Sequence, residues 1–509
     1  MQHVVVVGGG LAGLVSARAI AKTGRRVTIL EKGTRIGGKA GADLHGDRLV
    51  EHGYHVFPTW YPNVRRILRE IDVTLVDFDR YHYLLPGAYP KKVTVRGPAS
   101  LGAIVHNLTQ GLLPWYQTVL FYNFTLDLIS QSLSQKRLLD RVSEIGLMRQ
   151  AWYVTEAVAE MNQENLLKAS AIPAYEMSAM TAKRIGGYWM KQASPFLSVL
   201  PGDLQSTFIE PLAKTVRDAG VEIRLGVEVS GFEVADARIR AVKIGDERLA
   251  ADAFVLAVPF EVAREWVDDQ LFSVAPTLGN MHLLEAQPMS ALHVRTKKRV
   301  PGLPPEHVFF HGGAFGLSFI DVAPLWGRAG KSSWEGSELS FIASNFAPLR
   351  GLTEEGATRA LLGEIFDYLP IRDADIVDTV INTNVKTPLF INTIGAWPNR
   401  PTARTHAKNL YVAGDFAQNA IDLACMEGAV SASLLAARAL LQDAGVKEGL
   451  PSPIHPPVPS RGLLLALRAG LAPAVLAAYA TSRIAEVLSP KAPPHSASHR
   501  RQHGKGGAP

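Results

Sequence analysis

Three glycines near the amino end, Gly8, Gly10 and Gly13, form a GxGxxG pattern directly after the apolar run Val4 to Val7. This spacing serves three tasks: a tight turn at the first glycine, close approach of a pyrophosphate at the second, and close helix-to-sheet packing at the third. The next segment, LVSARAIAKTG, has helical spacing and a closing Gly24, which puts phosphate charge at a helix N-terminus. RRVTILE then reads as a strand that delivers Glu31, 23 residues after Gly8, as an acceptor for ribose hydroxyls. A second pair, Gly37 and Gly38, lies near enough to approach the same dinucleotide, with Lys32, Arg35 and Lys39 supplying positive charge. Arg35 reads also as an ordinary surface charge.

The elements that must hold these residues follow from burial and size. Four valines in a row suit a parallel strand covered on both faces. At 509 residues the chain exceeds what one core supports, so two or more lobes are expected. Hydrophobic residues make up 47% and charged residues 20%, which excludes a disordered or fibrous chain. The net charge of +6 comes without a long basic stripe, so nucleic acid is not an expected partner. The single cysteine, Cys425, excludes an intramolecular disulfide and a cysteine-based metal cluster, and no other metal motif is present. Because glycines interrupt MQHVVVVGGG, no signal-peptide pattern forms and a cytoplasmic location is expected.

Residues 74–100 read as short strands and turns, and residues 101–134, with Asp127 as their one formal charge, as buried or surface-lying helices. Helices continue to residue 170 and would cap an apolar cavity. A helix ending at Gly220, a strand, a small hairpin and a buried strand before Pro259 follow. Antiparallel strands, the helix EEGATRALLGEIFDYL and the strand IVDTVINTNV occupy the stretch from 290 to 395. YVAGD then reads as a buried strand carrying Gly414 and Asp415, and MEGAVSASLLAARAL as a helix with Glu427, Gly428 and Ala429 at its start.

With both glycine clusters, the stretch VEHGYHVFPTWYPNVRRIL and the closing AGD and MEGA segments, the chain resembles the FAD-dependent amine oxidase and phytoene desaturase superfamily. Within it the likeness is to carotenoid and squalene-type desaturases or dehydroxylases. The resemblance implies an α/β fold: a discontinuous Rossmann-like FAD-binding domain of residues 1–80, 200–290 and 396–445, and a mixed sheet-and-helix substrate lobe of residues 81–199 and 291–395. It also implies that Glu51, Gly53, His55 and Phe57 run beside the flavin, that the Val229 backbone meets the adenine and that Asp415 accepts from a ribityl hydroxyl. Lys39 stands where many relatives carry arginine, which keeps the charge and loses the bidentate fork.

The implied activity is FAD-dependent oxidation, such as desaturation, of an apolar isoprenoid, with oxygen or a quinone as electron acceptor. An amine oxidase acting on a small amine or amino acid is the alternative, and a noncatalytic flavoprotein a third. His55 is the candidate polar group at the flavin, or a histidine satisfied by backbone. Tyr54, Phe57 and Trp397 are candidates to line the reacting ring, or ordinary packing aromatics. Cys425 reads as a buried small side chain rather than a flavin link. Residues 446–460, with PSPIHPPVPS after Leu450, read as a stiff proline-rich linker and 461–489 as an apolar helical tract interrupted by Arg468 and Pro473. Residues 490–509 read as a flexible basic tail with Lys491, Arg500, Arg501 and Lys505 and no acid. Together they imply peripheral contact with the inner face of the cell membrane, or packing against the cap or a partner.

Overall fold

In the computed structural model, which describes residues 1–46, 48–97, 100–131, 136–191 and 194–488, the valine run forms the strand His3–Val7 at the centre of a five-stranded parallel sheet. The order is Leu410–Val412, Ala253–Leu256, His3–Val7, Arg26–Glu31, Glu222–Leu225. Val4 and Val6 enter one core and Val5 and Val7 another, which is why alternation is missing from the sequence. The first core is built with the helices Leu11–Ala21 and Met426–Asp443, which pack on each other. The second lies under the three-stranded antiparallel sheet Gly231–Ala235, Arg238–Ile244, Glu247–Ala250, through Phe232, Ile239 and Val242. The cofactor half is thus a mixed α/β layer structure assembled from distant parts of the chain.

A seven-stranded sheet forms the second lobe, in the order Ile376–Asn382, Ser290–Thr296, Glu338–Ala343, Leu317–Asp321, Val308–Phe310, Arg80–Leu84, Lys92–Arg96. All its pairs are antiparallel except Val308–Phe310 with Arg80–Leu84. The helix Glu354–Tyr368 covers one face, where Phe310 stacks on Tyr368 with centroids 4.1 Å apart. Helices Leu101–Gln110, Trp115–Ser130, Glu144–Met148, Glu156–Ser170 and Ala179–Lys191 make the cap. Three of them start at Ser100, Ser143 and Thr155, whose hydroxyls accept from an amide three residues on.

The proline-rich stretch, expected as a stiff linker, is held in place: Asn63 accepts from the Ile454 amide (2.8 Å) and donates to its carbonyl (2.8 Å), strapping the segment to the cofactor half. One expectation for the carboxyl end changes: the apolar tract is not interrupted, because Arg461–Leu488 is one helix that runs through Pro473. Docking of Leu464, Val475, Ala478 and Ser482 against the cap offsets the cost of the proline, and Arg468 turns inward to pair with Asp127 at 2.9 Å. The basic tail, 490–509, lies outside the described residues.

Candidate functional site

The two glycine clusters meet. Gly37 N–H donates to Gly9 carbonyl at 2.9 Å, and Gly10 and Gly37 form an isolated parallel bridge. Gly8, at φ +108°, has room for nothing else, since a β-carbon there would come within 2.7 Å of the Ala257 carbonyl oxygen. At Gly13 a β-carbon would sit 1.9 Å from Gly8 oxygen, so helix and turn touch through backbone alone. Gly10 differs: a β-carbon there meets no protein atom nearer than 3.7 Å. The helix that starts after it has no capping side chain and no acid in its first turn, leaving its first amides free for a phosphate. Gly38 is exposed on the same crevice.

Glu31 stands at the edge of this cradle. Its Oε2 accepts from Gly9 N–H and its Oε1 from Gly33 N–H, both at 2.7 Å. Each oxygen keeps a lone pair for a ribose hydroxyl. The chain returns here through Val227, whose amide donates to Glu31 carbonyl at 2.9 Å, while Val229 is buried in the second core beside it. Lys32 and Arg35 are exposed. Lys39 is held away from a purely phosphate role, because its ammonium pairs with Glu261 at 2.7 Å and donates to the Pro388 carbonyl.

The closing motif supplies the other wall. Gly414 takes φ +121° and leads into Asp415, whose carboxyl burial pushes above its ordinary range while nearby Lys39 opposes the shift. The loop behind it is clamped by Arg400, which the sequence reading missed: its guanidinium donates to the carbonyls of Phe416 (2.8 Å), Asp415 (2.9 Å) and Ala417 (2.8 Å) and pairs with Asp422. Glu427 is fully buried and does not open on the crevice. It accepts from the Asn63 amide (3.1 Å), the Asn63 side chain (2.5 Å) and the Val64 amide (2.9 Å), so it caps the helix Pro62–Glu70 from 364 residues away. Burial raises its carboxyl to about 7. Gly428 sits 3.7 Å from Asp415 through a would-be β-carbon, and its amide donates to Cys425 sulfur at 3.4 Å. Burial lifts that thiol to about 12, which leaves an inert cap rather than a nucleophile. Ala429, one residue on, lies in the same helix.

Of the candidate reacting-ring residues, Phe57 is corrected: it has no exposed surface and packs edge-on to Phe208 in the first core. Trp397 lies under two cations, with Arg184 and Arg400 guanidinium carbons 4.3 and 5.1 Å from its ring centroid. Tyr54 binds His307 and donates to or accepts from Ser318 at 2.6 Å. His55 keeps part of its ring open, with Nδ1 3.6 Å from Glu51 Oε2. Glu51 in turn is fixed by the Leu204 amide at 2.8 Å, and its carbonyl accepts from His293 at 2.9 Å and Asn382 at 2.8 Å. A cavity of about 30 Å³, the room of one water, is lined by Glu51, Tyr54, His55, His293 and Ser340. Desolvation holds His293 near 4 and His307 near 3, so both stay neutral. From Tyr54 an aromatic run continues through His307 (5.2 Å), Phe309 (4.4 Å), Tyr81 (5.4 Å), Phe196 (5.1 Å) and Trp189 (4.9 Å).

The chain is similar to known proteins in sequence and in fold. The chain is 22% identical over 475 residues to a 15-cis-phytoene desaturase of Synechococcus elongatus, covering 86% of this chain and 96% of that one. It is 22% identical over 506 residues to a probable zeta-carotene desaturase of the same organism, covering 87% and 99%. Among solved structures, a putrescine oxidase variant aligns with a TM-score of 0.68 at 15% identity over 86% of this chain and 98% of that one. Cyclohexylamine oxidase from Brevibacterium oxydans aligns with 0.64 at 15% over 87% and 100%, a likeness of fold. The model of the flavin containing amine oxidoreductases matches residues 11–441, and with the paired glycine cradle and its uncapped helix the chain belongs to that family: it is an oxidoreductase, and its cofactor is FAD.

Proposed function

We propose that the enzyme oxidises an apolar isoprenoid of the carotenoid or squalene-like class, removing two hydrogens from adjacent carbons to leave a double bond. Bound FAD would supply the two-electron acceptor for the hydride equivalent. The residues proposed to hold it are Gly8, Gly10, Gly13, Glu31, Lys32, Arg35, Gly37, Gly38, Lys39, Val229, Gly414, Asp415, Gly428 and Ala429. His55, poised 3.6 Å from the Glu51 carboxylate, takes the proton that leaves from the neighbouring carbon. The aromatic run from Tyr54 to Trp189 binds and orients the chain and excludes water. A quinone or oxygen accepts the electrons, and the protein works in the cytoplasm with peripheral contact at the inner face of the membrane.

One observation carries the choice over an amine. Trp397, a ring that could cage an ammonium, is already engaged by two guanidinium groups. A third cation beside Trp397 would meet like charge rather than an open π-face. FAD-loaded protein supplied with a quinone and a mixed panel of isoprenoids and amines tests this. The expected product is an isoprenoid lighter by two hydrogens on mass analysis, and an oxidised amine as sole product would contradict it.

A further inference from the structure

The helix Arg461–Leu488 is amphipathic in the wrong direction for a face that meets water. Three of its polar groups turn to the lobe: Arg468 pairs with Asp127 and donates to Ser130 (3.2 Å), Arg461, itself exposed, donates to the Ser130 carbonyl (3.1 Å), and Ser482 accepts from Gln117 (3.1 Å), whereas Arg483 and Glu486 near its end stay exposed and pair with each other at 2.6 Å. Every exposed position from 462 to 480 is Gly, Ala, Leu or Pro. Leu463, Leu467 and Leu476 are 52%, 45% and 59% exposed. A helix on a soluble surface places its apolar stripe inward and its charges outward, so this one is built to meet an apolar medium.

Three further features identify that medium. Trp152 packs on Tyr479 with centroids 5.2 Å apart, and Trp115 lies two residues before Gln117, the partner of Ser482. Both indoles stay exposed, as suits the boundary between hydrocarbon and headgroups. The helix is about 42 Å long at 1.5 Å per residue, yet its inner face is fixed along Trp115–Ser130, so it lies on the lobe rather than leaving it. Its sequence runs on into a segment with Lys491, Arg500, Arg501 and Lys505 and no acid, which matches anionic headgroups.

We infer that the outward face of Arg461–Leu488 docks on an anionic lipid bilayer, lying in its plane with Leu463, Leu467 and Leu476 in the acyl boundary and Trp115 and Trp152 at headgroup level. This deepens the membrane-contact reading above by assigning the face and the lipid charge. Docking sets the cap of the substrate lobe against the bilayer, where an isoprenoid resides.

Flotation of the full-length, FAD-loaded protein with vesicles of phosphatidylcholine, with and without phosphatidylglycerol, tests it without any substrate. The wild type is expected to float with both and more completely with the anionic mixture. The variant Leu463→Asp, Leu467→Asp, Leu476→Asp should keep its flavin and lose partitioning by on the order of tenfold or more. The variant Lys491→Gln, Arg500→Gln, Arg501→Gln, Lys505→Gln should lose only the preference for anionic vesicles and its salt sensitivity. A wild type that floats with neither vesicle, or a triple-aspartate variant that floats as well as the wild type, overturns the inference. So does a lipid-free dimer that the triple-aspartate variant turns into monomer, because the face then belongs to a second copy. These readouts are blind to turnover, so their failure is separate from failure of the isoprenoid reading.

Discussion

The cofactor half and the substrate lobe both bury a sheet under helices, but they present opposite kinds of surface to what they bind. Around Gly10 and Gly38 the working surface is backbone, amides and carbonyls left open where side chains are missing. Along Tyr54, His307, Phe309 and Tyr81, the run proposed above to meet the substrate, it would be side chain, with the polar atoms of Tyr54 and His307 already turned on each other. The difference teaches where specificity can change. Added atoms in the first region remove the site, whereas in the second they reshape it.

The sharpest way to break that contrast is at Gly10. Gly10→Ala has space in the folded chain, so the apoprotein should melt within a few degrees of the wild type, while FAD affinity measured by flavin fluorescence falls by about a hundredfold or more. Equal affinity would mean that the cradle is not the phosphate site.

Next in size is Glu427, which joins the two halves of the cofactor wall by capping Pro62–Glu70. Glu427→Ala strands buried amides and should cost about 3 kcal/mol in urea unfolding. Because burial raises this carboxyl from 4.5 to about 7, the folded state keeps a proton that the unfolded chain gives up in that window. Its contribution is therefore whole below about 4.5 and drains away as the pH rises to 7. Glu427→Gln should flatten that decline, by about 3 kcal/mol across the window.

Glu31→Gln is expected to be milder. Glutamine keeps one acceptor for Gly9 or Gly33 and turns an amino group on the other, so FAD affinity should fall about tenfold with little change in unfolding. In the lobe, His307 has its pKa depressed to about 3 by burial, so the neutral ring stabilises the fold above about 6.5 and that stability is lost as the pH falls toward 3. His307→Gln should leave a shallower acid limb in a pH series of melting temperatures. The smallest effect belongs to Trp397→Phe, about 1 kcal/mol from weaker contact with Arg184 and Arg400, with flavin retained. A large loss of flavin there would return Trp397 to the cofactor wall.

What the sequence disclosed follows the same divide. Val4 to Val7, the two glycine clusters and YVAGD are local patterns, each specified by neighbours in the chain, and the parallel sheet follows from them. Asn63 with Glu427, and Arg400 with Asp415 and Asp422, are contacts between residues whose types are common and whose spacing carries no period, so nothing in the sequence marks them. The reading of Phe57 went astray because an aromatic residue in a flavin-proximal segment has the same sequence signature whether it faces the ring or the core behind it. The strand Leu317–Asp321 is five buried residues without alternation, a run that periodicity alone does not separate from a helix turn. Arg468 and Pro473 suggested a broken helix, because the partner that tolerates both, Trp115–Ser130, lies far away in sequence.

The account rests above all on FAD held by a backbone cradle and facing an apolar, aromatic lobe. Anaerobic titration of the FAD-loaded protein, followed by loss of flavin absorbance, addresses both halves at once. Bleaching by an isoprenoid, with one equivalent of product lacking two hydrogens and no response to amines, is the expected result. Bleaching by amines alone would contradict the reading of the lobe and reopen Tyr54 and Trp397 as a cage.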